Sequence, residues 1–212
     1  QGYVLARRTE APPEHFTFEE GAGLVRVHIL RDAADAPTGA RVSAPHSLSM
    51  GIGVPTETIA ACAGLATEDI ATEMHEPLVA SVGLPVSIAE VTDIATLARA
   101  NPDIAAFRDA ASRFPDAPTH FPLLLYARRD GDALRPRVRM FAPLAGVMED
   151  PATGSANAAL AALLTALGPG DNLDLAYDIE QGIEMGRPSR LFATSRKTAE
   201  GPVTATIGGG CV

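Results

Sequence analysis

The run Gly154-Ser155-Ala156-Asn157-Ala158-Ala159-Leu160-Ala161-Ala162-Leu163-Leu164-Thr165-Ala166-Leu167, stopped by Gly168-Pro169-Gly170, constrains this chain more than any other segment. It combines strong helix formers with small or apolar side chains on nearly every side. A helix with no polar face has nothing to present to water, so it belongs inside the structure. Strand patterns stand before and after it, which implies a sheet curled around that helix. The expected class is α+β.

The strand patterns are of two kinds. Residues 24–30 read Leu-Val-Arg-Val-His-Ile-Leu, with Val25, Val27 and Ile29 on one face against Arg26 and His28, the period of a half-buried strand. A short strand is expected near 41–44, closed by Pro45. Residues 79–91 carry apolar runs broken by Gly83 and Pro85, and 121–127 and 137–141 flank Asp130-Gly131-Asp132 as a hairpin. Downstream of the buried helix, 172–177, 179–185, 189–194 and 203–207 read as four strands. Helices are expected at 2–8, about 57–65, 93–99 and 102–114, the last with Pro102 in its first turn and Asn101 as its cap. Residues 49–58 read as a loop leading into a helix.

Composition removes several function classes. A net charge of -9 repels phosphate backbones, and the arginines are scattered, so nucleic acid is not an expected partner. No apolar stretch is long enough for a membrane span, which needs about 18 residues or more, and the first residues lack the order of a secretory signal. Cys62 and Cys211 are far apart with no CxxC spacing, and His15, His28, His46, His75 and His120 show no metal-ligand spacing. No metal site is therefore expected, and the cytoplasm is the default compartment. Gly208-Gly209-Gly210 is not a phosphate loop, because no Lys-Ser/Thr follows. The chain has no initiator Met, opens inside a helix pattern and stops on this glycine run, so sequence beyond its ends is expected.

The chemistry concentrates before the buried helix. A strand through Val138-Arg139-Met140-Phe141 leads to Glu149-Asp150-Pro151-Ala152-Thr153-Gly154-Ser155 and into the helix. A strand thus delivers an acidic pair to a tight turn that opens on helix N-terminal amides. Free N–H groups and the positive end of the helix dipole make an anion site suited to a small carboxylate. Gly154, lacking a side chain, lets a ligand approach the backbone. Asp150 would stand beside that ligand as a proton-transfer or hydrogen-bonding group. The spacing alone leaves a second reading open, in which Asp150 or Thr153 merely caps the helix.

The segment Glu149-Asp150-Pro151-Ala152-Thr153-Gly154-Ser155-Ala156, followed by the alanine-rich helix, resembles the signature of the PhzF-like phenazine biosynthesis family, in the diaminopimelate epimerase-like superfamily. Gln181-Gly182-Ile183-Glu184-Met185-Gly186-Arg187-Pro188-Ser189-Arg190 resembles a second family motif at the expected distance. The resemblance is clear after Val138 and weaker before it. It implies two pseudo-symmetric halves, each a curled, mostly antiparallel sheet around a central helix, with the active site between them. Residues 1–44 would be the remainder of the first half, 45–198 the second half with its central helix at about 154–167, and 199–212 a strand returning to the first half.

By the same resemblance Asp150 is the catalytic acid of the second half, where related amino-acid epimerases carry a cysteine. Gly154, Ser155 and Thr153 are the expected substrate-binding positions. Cys62 and Cys211 are accordingly not read as an epimerase thiol pair. The motif from Gly182 to Arg190 is read as turning the chain and shaping the domain edge, with substrate contact the alternative. The family's glutamate base and its Gly-His-Pro motif have no counterpart here, and residues 2–8 resemble the helix that follows Gly-His-Pro. The implied activity is a cofactor-independent isomerase acting on a small carboxylate metabolite, with a homodimer plausible by analogy. An amino-acid or hydroxy-acid epimerase on the same scaffold and a non-catalytic metabolite-binding module are the alternatives.

Overall fold

The computed structural model describes residues 2–20, 23–114 and 120–210 of the chain. Cys211 therefore lies outside the described residues. The chain opens with helix α1 (Gly2–Arg8) and a hairpin of β1 (His15–Glu20) and β2 (Gly23–Arg31), followed by β3 (Pro37–Ser43). In β2 the alternation works as read: Val25, Val27 and Ile29 are buried, and Leu24, Arg26 and His28 are exposed. Next come β4 (Ser49–Gly53), α2 (Thr56–Ala63), β5 (Ile70–Ala71), β6 (Leu78–Ser81) and β7 (Pro85–Val91). Helices α3 (Ile94–Arg99) and α4 (Ile104–Arg113) precede the hairpin of β8 (Leu123–Arg129) and β9 (Asp132–Ala142), and β10 (Val147–Asp150) returns along β9. The chain then enters α5 (Gly154–Leu167) and ends in β11 (Leu173–Gln181), β12 (Ser189–Thr198) and β13 (Gly201–Gly210).

The strands form one mixed sheet in the order β1-β2-β3-β13-β12-β11-β9-β8-β7-β6-β4, with β10 on β9 and β5 on β7. All pairings are antiparallel except β7 with β8 and β9 with β11. The sheet curls around α5, which touches β11, β12 and β13 on one side and β6 and β7 on the other. It does not close, since β1 and β4 stand at opposite ends of the order. This is the α+β architecture expected. Ala156 through Thr165 are all buried. Small alanines let strands approach from several directions, and Leu160 and Leu163 fill the remaining volume without exposure.

Two apolar clusters share the central strands. The inner one joins α5 to Ile88, Leu124, Tyr126, Val138 and Ile207. The outer one joins Leu123, Leu125 and Phe141 to α2, α3 and α4 through Ile59, Leu97 and Phe107. β8 is buried on both faces, hence its continuous Leu-Leu-Leu-Tyr-Ala run.

Several local expectations change. The cap of α4 is Asp103, whose carboxylate accepts from the N–H groups of Ala105 and Ala106 at 2.8 and 3.2 Å. Asn101 instead sends its N–H to Ala63 O, so its backbone belongs to the junction with α2. Residues 49–53, read as a loop, form β4, because pairing with β6 outweighs the poor strand propensity of Gly51 and Gly53. β1 carried no reading at all. The patterns at 172–177 and 179–185 are one strand, β11, ending at Gln181; Ile183 to Gly186 is a turn closed by a bond from Gly186 N to Ile183 O. The glycine run at 208–210 stays in strand β13. A Cβ on Gly208 would stand 2.7 Å from Ala40 O on the neighbouring strand, so packing demands glycine there.

Candidate active site at the start of the buried helix

β10 brings Glu149 and Asp150 to the entrance of α5, and the two acids part. Glu149 accepts from Arg139 Nε and a terminal nitrogen at 2.9 and 2.8 Å. Arg139 also donates to Ala100 O at 2.6 Å and Leu97 O at 3.1 Å, and its guanidinium lies 4.9 Å from the Phe141 ring centre. Glu149 is therefore part of the scaffold. Asp150 turns the other way. Thr153 Oγ1 donates to its Oδ2 at 2.6 Å, and Ala152 N approaches its Oδ1 at 3.5 Å.

Thr153 is the residue before α5, but its side chain caps nothing; Asn157 N bonds to its carbonyl, and among the described residues no side chain caps the helix start. The capping alternative thus fails for both Asp150 and Thr153, and the positive end of the dipole is left for another partner. Gly154 and Ser155 line a cavity of ≈ 180 Å³ with Val42, Val82, Ala158 and Ile207. Gly154 and Ala152 also line a wider groove of ≈ 1130 Å³, together with Tyr3, Ser189, Arg190 and Gly208. Asp150 is not among the lining residues of either space, although Ala152, two residues on, lines the wider one. A Cβ on Gly154 would meet the protein only at Ile207, at 3.6 Å. That is ordinary contact, so packing does not require the glycine, and what its bareness spares is room in both spaces.

The connection from β3 to β4 forms one wall. Ala44 N bonds Ala205 O at 3.0 Å, His46 N bonds Val82 O at 3.1 Å and Leu48 N bonds Val203 O at 2.8 Å. These bonds carry the backbone across the gap between β13 and the end of β6, beside the start of α5.

Gln181 went unassigned in the sequence. It is fully buried and occupies the inward register of β11 after Tyr177 and Ile179. Its Oε1 accepts from Thr153 N at 3.0 Å and Asn157 Nδ2 at 2.7 Å; its Nε2 donates to Asp150 O at 2.6 Å and Thr153 Oγ1 at 3.0 Å. The signal was available: a glutamine on the buried face of a strand needs partners, since burying an unpaired amide is costly. Gly182 follows with φ +77, and a Cβ there would collide with Arg187 O and lie 2.9 Å from Pro151 O. The second motif thus packs against the first. Pro188, Ser189 and Arg190 line the wide groove.

Cys62 is buried in the outer cluster, and burial pushes its thiol up to about 12. It is no nucleophile at neutral pH.

A mixed sheet curled around a buried helix, with an open cleft and an acid at that helix's start, defines a protein of the diaminopimelate epimerase-like fold. Solved structures agree. A Bacillus anthracis phenazine biosynthesis protein of the PhzF family superposes with a TM-score of 0.77 at 20% identity, covering 98% of this chain and 69% of the other. A predicted epimerase from Pseudomonas aeruginosa gives 0.73 at 23% identity, covering 98% and 67%. The chain belongs to the phenazine biosynthesis-like protein family (PhzC-PhzF), which matches residues 1–212. An uncharacterized isomerase of Mesorhizobium japonicum is 32% identical over 199 residues, 93% of this chain and 65% of the relative. A trans-2,3-dihydro-3-hydroxyanthranilate isomerase of Pseudomonas fluorescens is 44% identical over 72 residues, 33% of this chain and 25% of the relative. The chain thus spans less than two thirds of the length of these curated relatives. No helix among the described residues is long and apolar enough to cross a membrane.

Proposed function

We propose that this chain forms the Asp150 side of the active site of an isomerase that moves a proton on a small carboxylate-bearing metabolite, without metal or organic cofactor. One observation carries the reading: the start of α5 is uncapped and opens on the cleft at Gly154 and Ser155, with the Asp150 carboxylate held in the turn just before it. The amides at the helix start receive the substrate carboxylate, with the Ser155 hydroxyl beside them. A base facing Asp150 across the cleft breaks a C–H bond, a role the resemblance gives to a glutamate with no counterpart in this sequence. The electron pair moves into the adjacent unsaturated system, the double bond shifts, and a proton is returned at another carbon. Atoms and oxidation state are unchanged. Asp150 hydrogen-bonds the polar group on which charge develops or relays its proton, and fixed dipoles meet that charge.

The full-length protein, given trans-2,3-dihydro-3-hydroxyanthranilate in deuterium oxide and followed by proton NMR, tests this. Label entering a carbon together with a shifted double bond supports the isomerase. Label entering with inversion at an unshifted centre points to an epimerase. Asp150→Asn should lower turnover about 10²- to 10⁴-fold, the usual range for a lost acid–base group, with the thermal transition unchanged. Near-normal turnover in that variant would sink the assignment.

A further inference from the structure

The hydrogen bonds around Gln181 have a direction that can be read without seeing a hydrogen atom. A backbone N–H can only donate and a carbonyl can only accept. Thr153 N–H at 3.0 Å therefore marks Oε1 of Gln181, and Asp150 C=O at 2.6 Å marks Nε2. Asn157 agrees, because its Nδ2 reaches two acceptors, Gln181 Oε1 at 2.7 Å and Thr153 O at 2.8 Å. The side chain of Gln181 has one orientation.

That orientation passes outward. Nε2 has two hydrogens; one goes to Asp150 O and the other to Thr153 Oγ1, 3.0 Å away. Thr153 Oγ1 must accept this hydrogen, so its own single proton is left for Asp150 Oδ2 at 2.6 Å. Oδ2 is then the acceptor when Asp150 is ionised, and it remains the acceptor on protonation because no other taker for the Thr153 proton stands among the described residues. Among the described residues Oδ1 faces the Ala152 amide at 3.5 Å, too long for a strong bond.

We propose that Gln181 and Thr153 are positioning residues that lock Asp150 Oδ2 as an acceptor and leave Oδ1 as the oxygen that exchanges the proton with the substrate. This rests on the isomerase reading for the second half of the statement only. The arrangement serves both protonation states without turning a side chain, so no reorganisation accompanies the transfer. Thr153, expected from the sequence as a substrate contact, acts through Asp150 instead.

Neutron diffraction from deuterium-exchanged crystals of the full-length protein reads the first half directly. The expected result is a Thr153 deuteron on the line to Asp150 Oδ2 and both Gln181 Nε2 deuterons on Asp150 O and Thr153 Oγ1. A deuteron bonded to Asp150 Oδ2, or a Thr153 deuteron pointing elsewhere, overturns the proposal. Kinetics on trans-2,3-dihydro-3-hydroxyanthranilate read the second half. Thr153→Val keeps the shape and should lower kcat about 10²-fold with KM little changed, the signature of an interaction used in the transition state; Thr153→Ser should recover most of that loss. Equal kcat for Thr153→Val and the unaltered protein, with matching melting curves, overturns the positioning role. Turnover that is absent in the unaltered protein strikes at the isomerase reading, while the deuteron positions still decide the hydrogen-bond assignment.

Discussion

Arg139 and Glu149, ten residues apart in the chain, meet in a two-pronged ion pair at 2.9 and 2.8 Å directly behind the turn that carries Asp150. Their side chains are only 8% and 12% exposed. The pair binds β10 to β9, and through Ala100 O and Leu97 O it also ties both to the end of α3. The turn that carries Asp150 is thus mounted on a rigid support.

Removing one partner of a buried pair strands the other charge, which typically costs about 3–5 kcal/mol. Arg139→Met is expected to lower unfolding stability by roughly that amount in urea titrations. The double variant Arg139→Met/Glu149→Leu should regain part of it. A single variant as stable as the unaltered protein would show that the pair is not effectively buried.

Gly182→Ala should damage the Asp150–Gly154 turn from the far side. The added methyl meets Arg187 O and Pro151 O while the backbone holds φ +77, a conformation that costs a side chain about 1–2 kcal/mol before any clash. A fall in melting temperature, together with loss of protection of the Thr153 amide in hydrogen exchange, is the expected result.

Acid should reach Asp178 late. The Arg190 guanidinium, bonded to both carboxylate oxygens at 2.6 and 2.8 Å, holds its pKa at about 2, below the usual 3.8. A carboxylate depressed by folding adds stability that is complete above its unfolded value and is lost as pH falls through the folded one. The urea midpoint of the unaltered protein should therefore exceed that of Asp178→Asn at pH 6, and the gap should narrow between about 3.8 and about 2. A gap of constant size across that window would show that the ion pair contributes nothing. Arg190 is 63% exposed, so the effect is screened and modest.

Cys62 should resist a thiol reagent at neutral pH in the folded protein, with its peptide unmodified by mass spectrometry, and react on addition of denaturant. Burial, the largest cause of its raised pKa, vanishes on unfolding. Rapid labelling of the folded state would mean that the α2 region opens readily.

What was legible in the sequence was local and periodic. The fourteen residues of α5 could be read because alanine and leucine on all sides admit only an internal helix. β2, β8 and β9 could be read because alternation and an Asp-Gly turn act between near neighbours, and Asp130 and Gly131 do adopt positive φ. The Asp150 to Ser155 turn stood out because a carboxylate, a glycine and a helix start follow one another directly. β4 escaped because its strand character comes from pairing with β6 and not from its own glycine-rich segment, whereas β1 carries strand formers of its own in Phe16, Thr17 and Phe18 and went unread. Which of two adjacent acids serves the scaffold was undecidable from order alone; Arg139 and Thr153 settled it by geometry. Gln181, too, reaches Asp150 only because β11 ends beside the entrance of α5, 31 residues further along the chain. A hydrogen bond is decided within about 3 Å of space, and the sequence states that distance only where the chain folds back on itself at once.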